Sequence, residues 1–379
     1  MSLFFDDAQR IDDPMLRRAY ELAERGRGTT SPNPLVGCVL VRHGRIVGEG
    51  FHARAGEDHA EIVALKTAGA EASGATAYVT LEPCNHFGKT PPCTPALVRA
   101  GVREVVIGMR DPNPDVTGNG AEALEQAGVV VRFAPDPGPF ERQNEAWLHR
   151  IRTGRPFVTV KVALSLDGKP ALRVNRRARI TGAGGARATM MLRARSTAVA
   201  VGASTAAIDD PALTVRDASG RPTKRQPRRL VIARTSVPAP RLGMLEDGLG
   251  PVALVVSERA DARQVDAFRA AGGDVVFYEY ASGIDGALRA IAAYGVDDVL
   301  VEPGPALLTA LHRAEAIDRL AVVTAGGFAG NAAPPSYLGP ADAAGADLRA
   351  VYRAEESAVF DEDVVVVWVP RARDAERSE

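Results

Sequence analysis

The segments DHAEIVAL (58–65) and TAYVTLEPCNHFGKTPPCT (76–94) contain a compact set of metal-binding and acid–base residues. They supply one imidazole, one carboxylate and two thiols: His59, Glu61, Cys84 and Cys93. One His with two Cys is typical of a zinc site whose fourth position is open to water, and a water bound there has a pKa of roughly 7. A Glu two residues after the His, with Pro-Cys and a second Cys downstream, is the signature of zinc-dependent deaminases, in which the Glu moves protons without binding the metal.

The neighbouring sequence places these residues at the ends of regular elements. Apolar residues after His59 predict that a helix begins there, and Cys84 follows a predicted strand, Ala77–Leu81. Cys93 is expected to open a short helix, whose N-terminus would favour the thiolate. The alternative is that His59 and the cysteines are ordinary buried residues. Two of the three cysteines lie in a loop containing Pro and Gly, which argues against that alternative.

The loop between the cysteines departs from the usual Cys-x-x-Cys spacing, because eight residues separate Cys84 from Cys93. The segment PCNHFGKTPPCT, with SPNPLVG (31–37) before it and DPNP (111–114) after it, resembles the bifunctional deaminase/reductase family of riboflavin biosynthesis. The resemblance implies an α/β chain with a cytidine-deaminase-like three-layer domain over 1–151 and a dihydrofolate-reductase-like domain over 155–370. The last residues, RARDAERSE (371–379), are expected to be a frayed, disordered tail. The resemblance also implies that His59, Cys84 and Cys93 bind Zn²⁺ and that Glu61 is the proton shuttle.

Four residues of the first half are candidates for binding a phosphorylated pyrimidine: Asn33, His86, Lys89 and Asn113. The resemblance implies substrate contact for Asn33 and Asn113, although both also fit Pro/Asn turns. His86 and Lys89 lie in the loop held by both cysteines. A phosphate favours a cation there, so we expect Lys89 to contact it, with a solvated loop as the alternative. We expect Cys38 to be a small buried hydrophobe, and His52 to have a surface or supporting role.

Composition limits the classes of function. The 379 residues suggest two domains, and 46% apolar with 25% charged residues is a globular balance. A net charge of −1 gives no nucleic-acid footprint, and the basic cluster TKRQPRR (223–229) is expected to be a solvated loop. With no apolar run near 18 residues and no signal peptide, we expect no membrane span and a cytoplasmic location. We also expect a homo-oligomer that acts on a small-molecule substrate.

Strands and helices alternate along the chain, which predicts an α/β fold. Asp13-Pro14 is a helix start, with the helix continuing to Glu24. One helix is expected over Pro139–Arg150, and RTGRP (152–156) is the predicted domain boundary. The near-continuous apolar run Phe157–Leu164 then predicts a buried strand.

The second half resembles the reductase part of the same family in three segments: ARITG (178–182), LRARSTAVAVGASTAAIDDPALTVR (192–216) and DDVLVEPGPALLTAL (297–311). The resemblance implies NADPH as cofactor, bordered by Ala163, Thr205 and Asp209. Gly304, at a predicted helix N-terminus, can receive a cofactor phosphate. The resemblance also implies a sugar-phosphate site bordered by Arg193, Leu213, Arg216 and Glu302. The alternative for either arginine is a solvated surface role. The alternative for Gly304 is a plain strand-to-helix turn.

Some positions depart from that family. Arg177 and Arg179 stand where Ser and Trp are usual, and Ala233-Arg234 stands where Asp and Ser are common. The new arginines at 177 and 179 either bind the 2′-phosphate of NADPH or mark a reductase site that has decayed. In the second case the chain is a deaminase whose C-terminal domain is a scaffold or ligand-binding module. A third hypothesis, a deaminase of RNA or DNA bases, is disfavoured by the near-neutral charge.

Overall fold

The computed structural model describes residues 7–86, 91–112, 120–170, 180–330 and 351–371. The chain divides into two compact units, Met1–Thr153 and Gly154–Glu379, and each is described by itself. Among the described residues, no helix is long and apolar enough to cross a membrane.

Unit 1 is a five-stranded sheet with helices on both faces. The sheet order is β2-β1-β3-β4-β5, where β1 pairs antiparallel with β2 and β3, and the remaining pairs are parallel. The strands are β1 Gly37–Arg42, β2 Arg45–Phe51, β3 Thr76–Leu81, β4 Glu104–Met109 and β5 Val130–Phe133. The helices are α1 Pro14–Glu24, α2 Ala60–Ala68, α3 Cys93–Arg99, α4 Gly120–Gln126, α5 Gly138–Gln143 and α6 Glu145–Thr153.

Alternating side chains of the strands build two cores in unit 1. Cys38 and Leu40 pack on one face with residues of α2, α3 and α4, whereas Val39 packs on the other face with α1. This alternation is the period of two expected for a strand covered on both sides. The predicted burial of Cys38 is confirmed, and the predicted start of α1 is confirmed by the Asp13 carboxylate, which accepts hydrogen bonds from Met15 N and Leu16 N.

Glycines let α2 approach the sheet closely. A Cβ on Gly48 would lie 2.3 Å from the Ala64 carbonyl oxygen, and a Cβ on Gly50 would lie 2.3 Å from the Ala60 carbonyl oxygen. Both separations are too short for a methyl group, so only glycine permits this packing at β2. The first turn of α2 therefore sits directly on the strand.

The single helix predicted over Pro139–Arg150 is wrong. The structure has two helices, α5 and α6, with Asn144 between them at φ −105° and ψ 16°. The Asn144 side chain accepts a hydrogen bond from Leu35 N (2.8 Å) and donates one to Leu35 O (3.0 Å). These bonds satisfy the backbone N–H and C=O groups of Leu35, which is distant in the chain. This tertiary contact breaks the helix at Asn144, although the local periodicity predicts one continuous helix.

Unit 2 is a nine-stranded sheet in the order β10-β9-β8-β7-β11-β6-β12-β14-β13. Neighbours are parallel except at β14, which is antiparallel to β12 and β13. The strands are β6 Phe157–Leu164, β7 Ala198–Gly202, β8 Arg228–Ile232, β9 Val252–Ser257, β10 Asp274–Tyr278, β11 Asp298–Val301, β12 Arg319–Thr324, β13 Tyr352–Phe360 and β14 Asp363–Pro370. The helices are α7 Ala183–Arg195, α8 Ala203–Asp209, α9 Gly243–Glu246, α10 Ala262–Ala270, α11 Gly283–Ala293 and α12 Pro305–Arg313.

The basic cluster 223–229 is not the solvated loop that its composition suggests. Its last two residues, Arg228 and Arg229, begin β8, and Arg229 is only 1% exposed. The Arg229 guanidinium pairs with the Asp247 carboxylate at 2.6 Å and donates to the Gly250 carbonyl oxygen at 2.7 Å. A buried guanidinium requires such partners, and they come from a loop that the local sequence does not reveal.

Candidate active sites

Three elements of unit 1 bring His59, Cys84 and Cys93 together. His59 is the residue before α2, Cys84 follows β3, and Cys93 is the first residue of α3. The His59 Nδ1 atom lies 3.5 Å from Cys84 Sγ and 3.3 Å from Cys93 Sγ. The three potential ligand atoms all lie within 4.8 Å of one another.

This geometry fits a tetrahedral zinc ion. Zn–S bonds of about 2.3 Å and Zn–N bonds of about 2.0 Å place neighbouring tetrahedral ligands roughly 3.5 Å apart, close to the observed separations. The Cys93 and Thr94 amides both donate to the Cys84 carbonyl oxygen, at 3.0 and 3.2 Å. This tie joins the N-terminus of α3 to the residue after β3, so the two thiols are held together by the backbone.

A hydrogen bond between the two thiols shifts their pKa values in opposite directions. A hydrogen bond from Cys93 lowers the pKa of Cys84 to about 4, against the opposing effect of burial and with help from His59. The same hydrogen bond, together with burial, raises the pKa of Cys93. Hydrogen bonding to Cys84 raises the pKa of His59. A divalent cation such as Zn²⁺, when bound, would displace protons from the Cys84 and Cys93 thiols and the His59 imidazole, as expected at a site of thiolate and imidazole ligands.

Glu61 lies in the first turn of α2 and is 3% exposed. Burial, followed by the charge of Cys84, raises its carboxyl pKa, while His59 and a hydrogen bond with Cys93 act in the opposite direction. A carboxyl group beside a metal site, with its pKa raised from the ordinary value, is suited to accept and return a proton. Glu61 therefore lies close enough to the three potential ligands for their charges and hydrogen bonds to affect its carboxyl group.

His52 holds Asn33 beside this cluster. The Asn33 side-chain nitrogen lies 3.0 Å from His52 Nε2, and His52 Nδ1 lies 3.1 Å from the Asp58 carbonyl oxygen. The imidazole therefore carries its hydrogen on Nδ1, donates it to Asp58 and accepts from Asn33. His52 is 3% exposed, and its ring centroid lies 5.4 Å from that of His59. Sequence reasoning gave His52 at most a supporting role, although its position directly after a glycine-rich strand was a signal.

The other substrate candidates of unit 1 are only partly described. His86 is half-buried, and its Nδ1 atom has no hydrogen-bond partner within the described part of the chain. Lys89 and Asn113 lie outside the described residues. Glu82, which the sequence analysis did not single out, accepts hydrogen bonds from Ala121 N (2.9 Å) and Asp111 N (3.3 Å). Its carboxylate joins the segment before Cys84 to the start of α4.

Unit 2 brings Arg193 and Glu302 together. Arg193, in the last turn of α7, donates from Nε to Glu302 Oε1 at 2.6 Å and from Nη1 to the Thr214 carbonyl oxygen at 3.0 Å. The two side chains are 12% and 18% exposed. The adjacent Leu213 is buried, with a left-handed backbone (φ 53°). Arg216 is exposed, and its Nη1 atom donates to the Gly220 carbonyl oxygen at 2.9 Å.

Lys161 completes the cluster and was missed by the sequence analysis. Burial lowers its pKa, Glu302 opposes that change and Arg193 adds to it. Burial alone would raise the Glu302 pKa, but the charges of Arg193 and Lys161 outweigh it, so the net shift is downward. The signal was available in the sequence: Lys161 is the one charged residue in the strand FVTVKVAL.

Two cofactor candidates meet at the carboxyl ends of β7 and β11. Thr205 lies in α8, directly after β7, and Gly304 is the residue before α12, directly after β11. A Cβ on Gly304 would lie 2.9 Å from Thr205 Oγ1, so the two positions are in contact. Asp209 is at the far end of α8 and Ala163 is on β6, on the same face as Lys161. Arg177 and Arg179 lie outside the described residues.

Comparisons with known families match both units. The family model described as the RibD C-terminal domain matches residues 156–366, and the one described as the cytidine and deoxycytidylate deaminase zinc-binding region matches residues 9–109. Riboflavin biosynthesis protein RibD of Escherichia coli (strain K12) is 51% identical over 205 residues, 54% of this chain and 56% of that protein. The chain therefore spans about half the length of that relative. RibD of Aquifex aeolicus is 36% identical over 318 residues, covering 84% of this chain and 87% of that protein.

Solved structures match over nearly the whole chain. Acinetobacter baumannii RibD (form 1) has a TM-score of 0.83 and 34% identity, covering 97% of this chain and 99% of that one. The diaminohydroxyphosphoribosylaminopyrimidine deaminase/5-amino-6-(5-phosphoribosylamino)uracil reductase from Thermotoga maritima has a TM-score of 0.79 and 30% identity, covering 94% and 98%. The predicted fold class, a cytidine-deaminase-like domain followed by a dihydrofolate-reductase-like domain, is confirmed.

Proposed function

Because the chain belongs to the RibD family, we propose that it is a bifunctional enzyme of riboflavin biosynthesis. Unit 1 would hydrolytically deaminate a diaminopyrimidinone bearing a ribosylamino 5-phosphate, and unit 2 would reduce its ribosyl group to ribityl. The observation that carries the proposal is the convergence of His59, Cys84 and Cys93 next to the buried carboxyl group of Glu61.

In the deamination, His59, Cys84 and Cys93 would hold the zinc ion. Zinc, when bound, lowers the pKa of a coordinated water and so supplies a nucleophile at neutral pH. Glu61 accepts one proton of the attacking water and delivers it to the ring nitrogen. It then takes the remaining hydroxyl proton of the tetrahedral adduct and delivers it to the amino group, which leaves as ammonia. Asn33, fixed by His52, would hold the substrate, and His86, Lys89 and Asn113 are further candidates for binding it.

In the reduction, the charged cluster of unit 2 would hold the sugar phosphate. NADPH, when bound, supplies the hydride. Arg193 and Arg216 are candidates for the phosphate, because a guanidinium fork matches its oxygens. Hydride addition to C1 of the ribose breaks the bond between C1 and the ring oxygen; Lys161 donates a proton to that oxygen, and Glu302 orients Lys161. Support comes from the lowered pKa of Lys161, which makes its proton easier to transfer near neutral pH than that of an exposed lysine.

For the cofactor, the residues present fit a dinucleotide phosphate. Thr205 and Gly304 are in contact at the ends of two parallel strands, where the backbone amides that begin α8 and α12 are exposed to an anion. A side chain on Gly304 would fill that space. Ala163 and Asp209 would border the nicotinamide end, and Leu213 would contribute its main chain to the substrate site.

The purified chain, incubated with the diaminopyrimidinone phosphate and NADPH, tests both halves at once. We expect ammonia to be released first and NADPH absorbance to fall afterwards, with the total moles of NADPH consumed equal to the total moles of ammonia released. Ammonia without NADPH loss would favour the second candidate, a deaminase whose unit 2 only binds ligand, which the arginines at 177 and 179 suggest. If zinc-loaded protein gives no ammonia and no loss of NADPH absorbance, that result contradicts the proposed substrate.

The cytoplasmic location, the homo-oligomeric state and the absence of nucleic-acid binding remain predictions. Light scattering of the purified chain measures its mass in solution. Cell fractionation measures its location, and a salt-dependent shift with RNA would contradict the small-molecule assignment.

A further inference from the structure

Three neighbouring parallel strands of unit 2, β8, β9 and β10, are each followed, two residues after the strand ends, by an arginine or a tyrosine. β8 pairs with β9, and β9 pairs with β10. Arg234, Arg259 and Tyr280 each stand two residues beyond the end of β8, β9 and β10, respectively. The carboxyl ends of parallel strands lie at one edge of a sheet, so the register brings the three side chains to the same edge.

The two guanidinium groups share one aromatic ring. Arg234 Cζ lies 4.1 Å from the Tyr280 ring centroid, and Arg259 Cζ lies 4.4 Å from it. Both distances are well inside the range of about 6 Å for a cation–π contact. Tyr280 is half-buried, whereas both arginines are exposed, so the charged side of the cluster faces solvent.

In the part of the chain that the structure describes, a single carboxylate pairs with this cluster, so two guanidinium charges face one negative charge. Among the described residues, Arg234 makes no ion pair. The nearest carboxylate to Arg259 is Glu258, at 3.8 Å from Nε, and its other oxygen accepts a hydrogen bond from Tyr280 N at 2.6 Å. Two like charges held at one ring repel each other, and a bound dianion would relieve that repulsion while satisfying both guanidinium forks.

We propose that Arg234, Arg259 and Tyr280 form the subsite for the 2′-phosphorylated adenosine end of NADPH and so select NADPH over NADH. This inference rests on the proposed reductase function. The arginines bind the 2′-phosphate, and the planar guanidinium and phenol groups stack on the adenine. An arginine near the ribose 2′ position is how an α/β site accommodates that phosphate, whereas a carboxylate alone favours the 2′-hydroxyl of NADH.

The position agrees with the phosphate site between Thr205 and Gly304. Those residues follow β7 and β11, and β8 is the other neighbour of β7. With strands roughly 4.8 Å apart, β8 and β9 lie about 5 and 10 Å beyond β7 along the same edge. A dinucleotide whose pyrophosphate sits at Gly304 would therefore extend its adenosine end over Arg234 and Arg259.

The test measures binding of two probes to the full chain by calorimetry: adenosine 2′,5′-bisphosphate and ADP, which lacks the 2′-phosphate. We expect R234Q and R259Q each to weaken the bisphosphate roughly tenfold and the double variant roughly a hundredfold, since each removes charge-assisted hydrogen bonds. ADP binding should change less than threefold. The matched control is R269Q, because Arg269 also lies over an aromatic ring (Phe277, 5.5 Å) but is a residue of α10 and not of the segments that follow β8 and β9.

Equal weakening of both probes, no effect of either substitution, or no binding of the bisphosphate by the unsubstituted chain would overturn the inference. Steady-state kinetics separate it from the proposed function. If the unsubstituted chain binds the bisphosphate in an Arg234-dependent way but does not oxidise NADPH with substrate, the reductase function fails and the subsite stands. If it oxidises NADPH but R234Q changes KM for NADPH and NADH equally, the subsite fails and the function stands.

Discussion

Replacing Glu302 with Gln tests the charged cluster of unit 2 most directly. The substitution keeps the size of the side chain and one oxygen acceptor, but it removes the negative charge that faces Arg193 and Lys161. Two cations then remain at a site where the Arg193 and Glu302 side chains are 12% and 18% exposed. Among the described residues, Glu302 is the one carboxylate that forms an ion pair with Arg193.

The expected loss of stability follows from that exposure. Removing one partner of a fully buried ion pair costs about 3–5 kcal/mol. The residual solvent access and the retained amide oxygen reduce this to about 2 kcal/mol, which for a unit of this size lowers the melting temperature by roughly 4–8 °C. Loss of the nearby negative charge also lowers the pKa of Lys161 further, because Glu302 is the group that raises it. The alkaline limb of the NADPH-oxidation profile should therefore move to lower pH.

The assay compares the two activities of the same protein. NADPH oxidation by E302Q should fall roughly a hundredfold, as when a group that positions a catalytic donor is lost. Ammonia release, which depends on unit 1, should stay within twofold and serves as the internal control. Equal loss of both activities would show general misfolding. Unchanged NADPH oxidation with an unmoved alkaline limb would refute the role given to Glu302 and Lys161.

Three other predictions concern the remaining charged sites. E61Q should reduce ammonia release by about 10²–10⁴-fold while zinc content, measured by mass spectrometry, stays near one ion per chain, since Glu61 moves protons and does not bind metal; loss of zinc would contradict this. C84S or a chelator should remove zinc and abolish ammonia release, but leave NADPH oxidation on supplied deaminated substrate. D247N should cost about 3 kcal/mol, because Arg229 is buried. The contribution of Asp247 depends on pH: burial raises its pKa but Arg229 outweighs this and lowers it, so the stabilisation is fully present above about pH 4 and is lost as the pH falls through the lower folded-state pKa. Denaturant unfolding should show that acid-dependent component in the unsubstituted chain and not in D247N.

Local sequence signals predicted the elements that depend on local chemistry. The Asp13 cap and Pro14 fixed the start of α1, and the apolar run at 157–164 is a strand with the predicted bounds. The spacing of His59, Glu61 and the two cysteines predicted a cluster that the structure brings within ligand distance, although the binding role of each residue remains a prediction.

What the sequence did not reveal depends on partners distant in the chain. Asn144 ends α5 because it bonds to Leu35, 109 positions away, and Arg229 is buried because Asp247 approaches from another loop. His52 is a similar case, since its hydrogen bond to Asn33 fixes the side chain of a predicted substrate residue. Periodicity and capping carry no information about such pairings, whereas Lys161, a lone charge within an apolar strand, could have been recognised.

Gly48 and Gly50 of β2 fix how closely α2, and with it Glu61, lies to the sheet. A methyl group at Gly50 would lie 2.3 Å from the Ala60 carbonyl oxygen, about 1 Å too close, so it would push the first turn of α2, which carries Glu61, away from the strand. A shift of that size at a catalytic group costs roughly a hundredfold in rate. The helix that carries Glu61 therefore cannot lie nearer to the sheet, because at Gly48 and Gly50 the two backbones already approach as closely as residues without a side chain allow. Two residues outside the cluster thus set the position of one of its members.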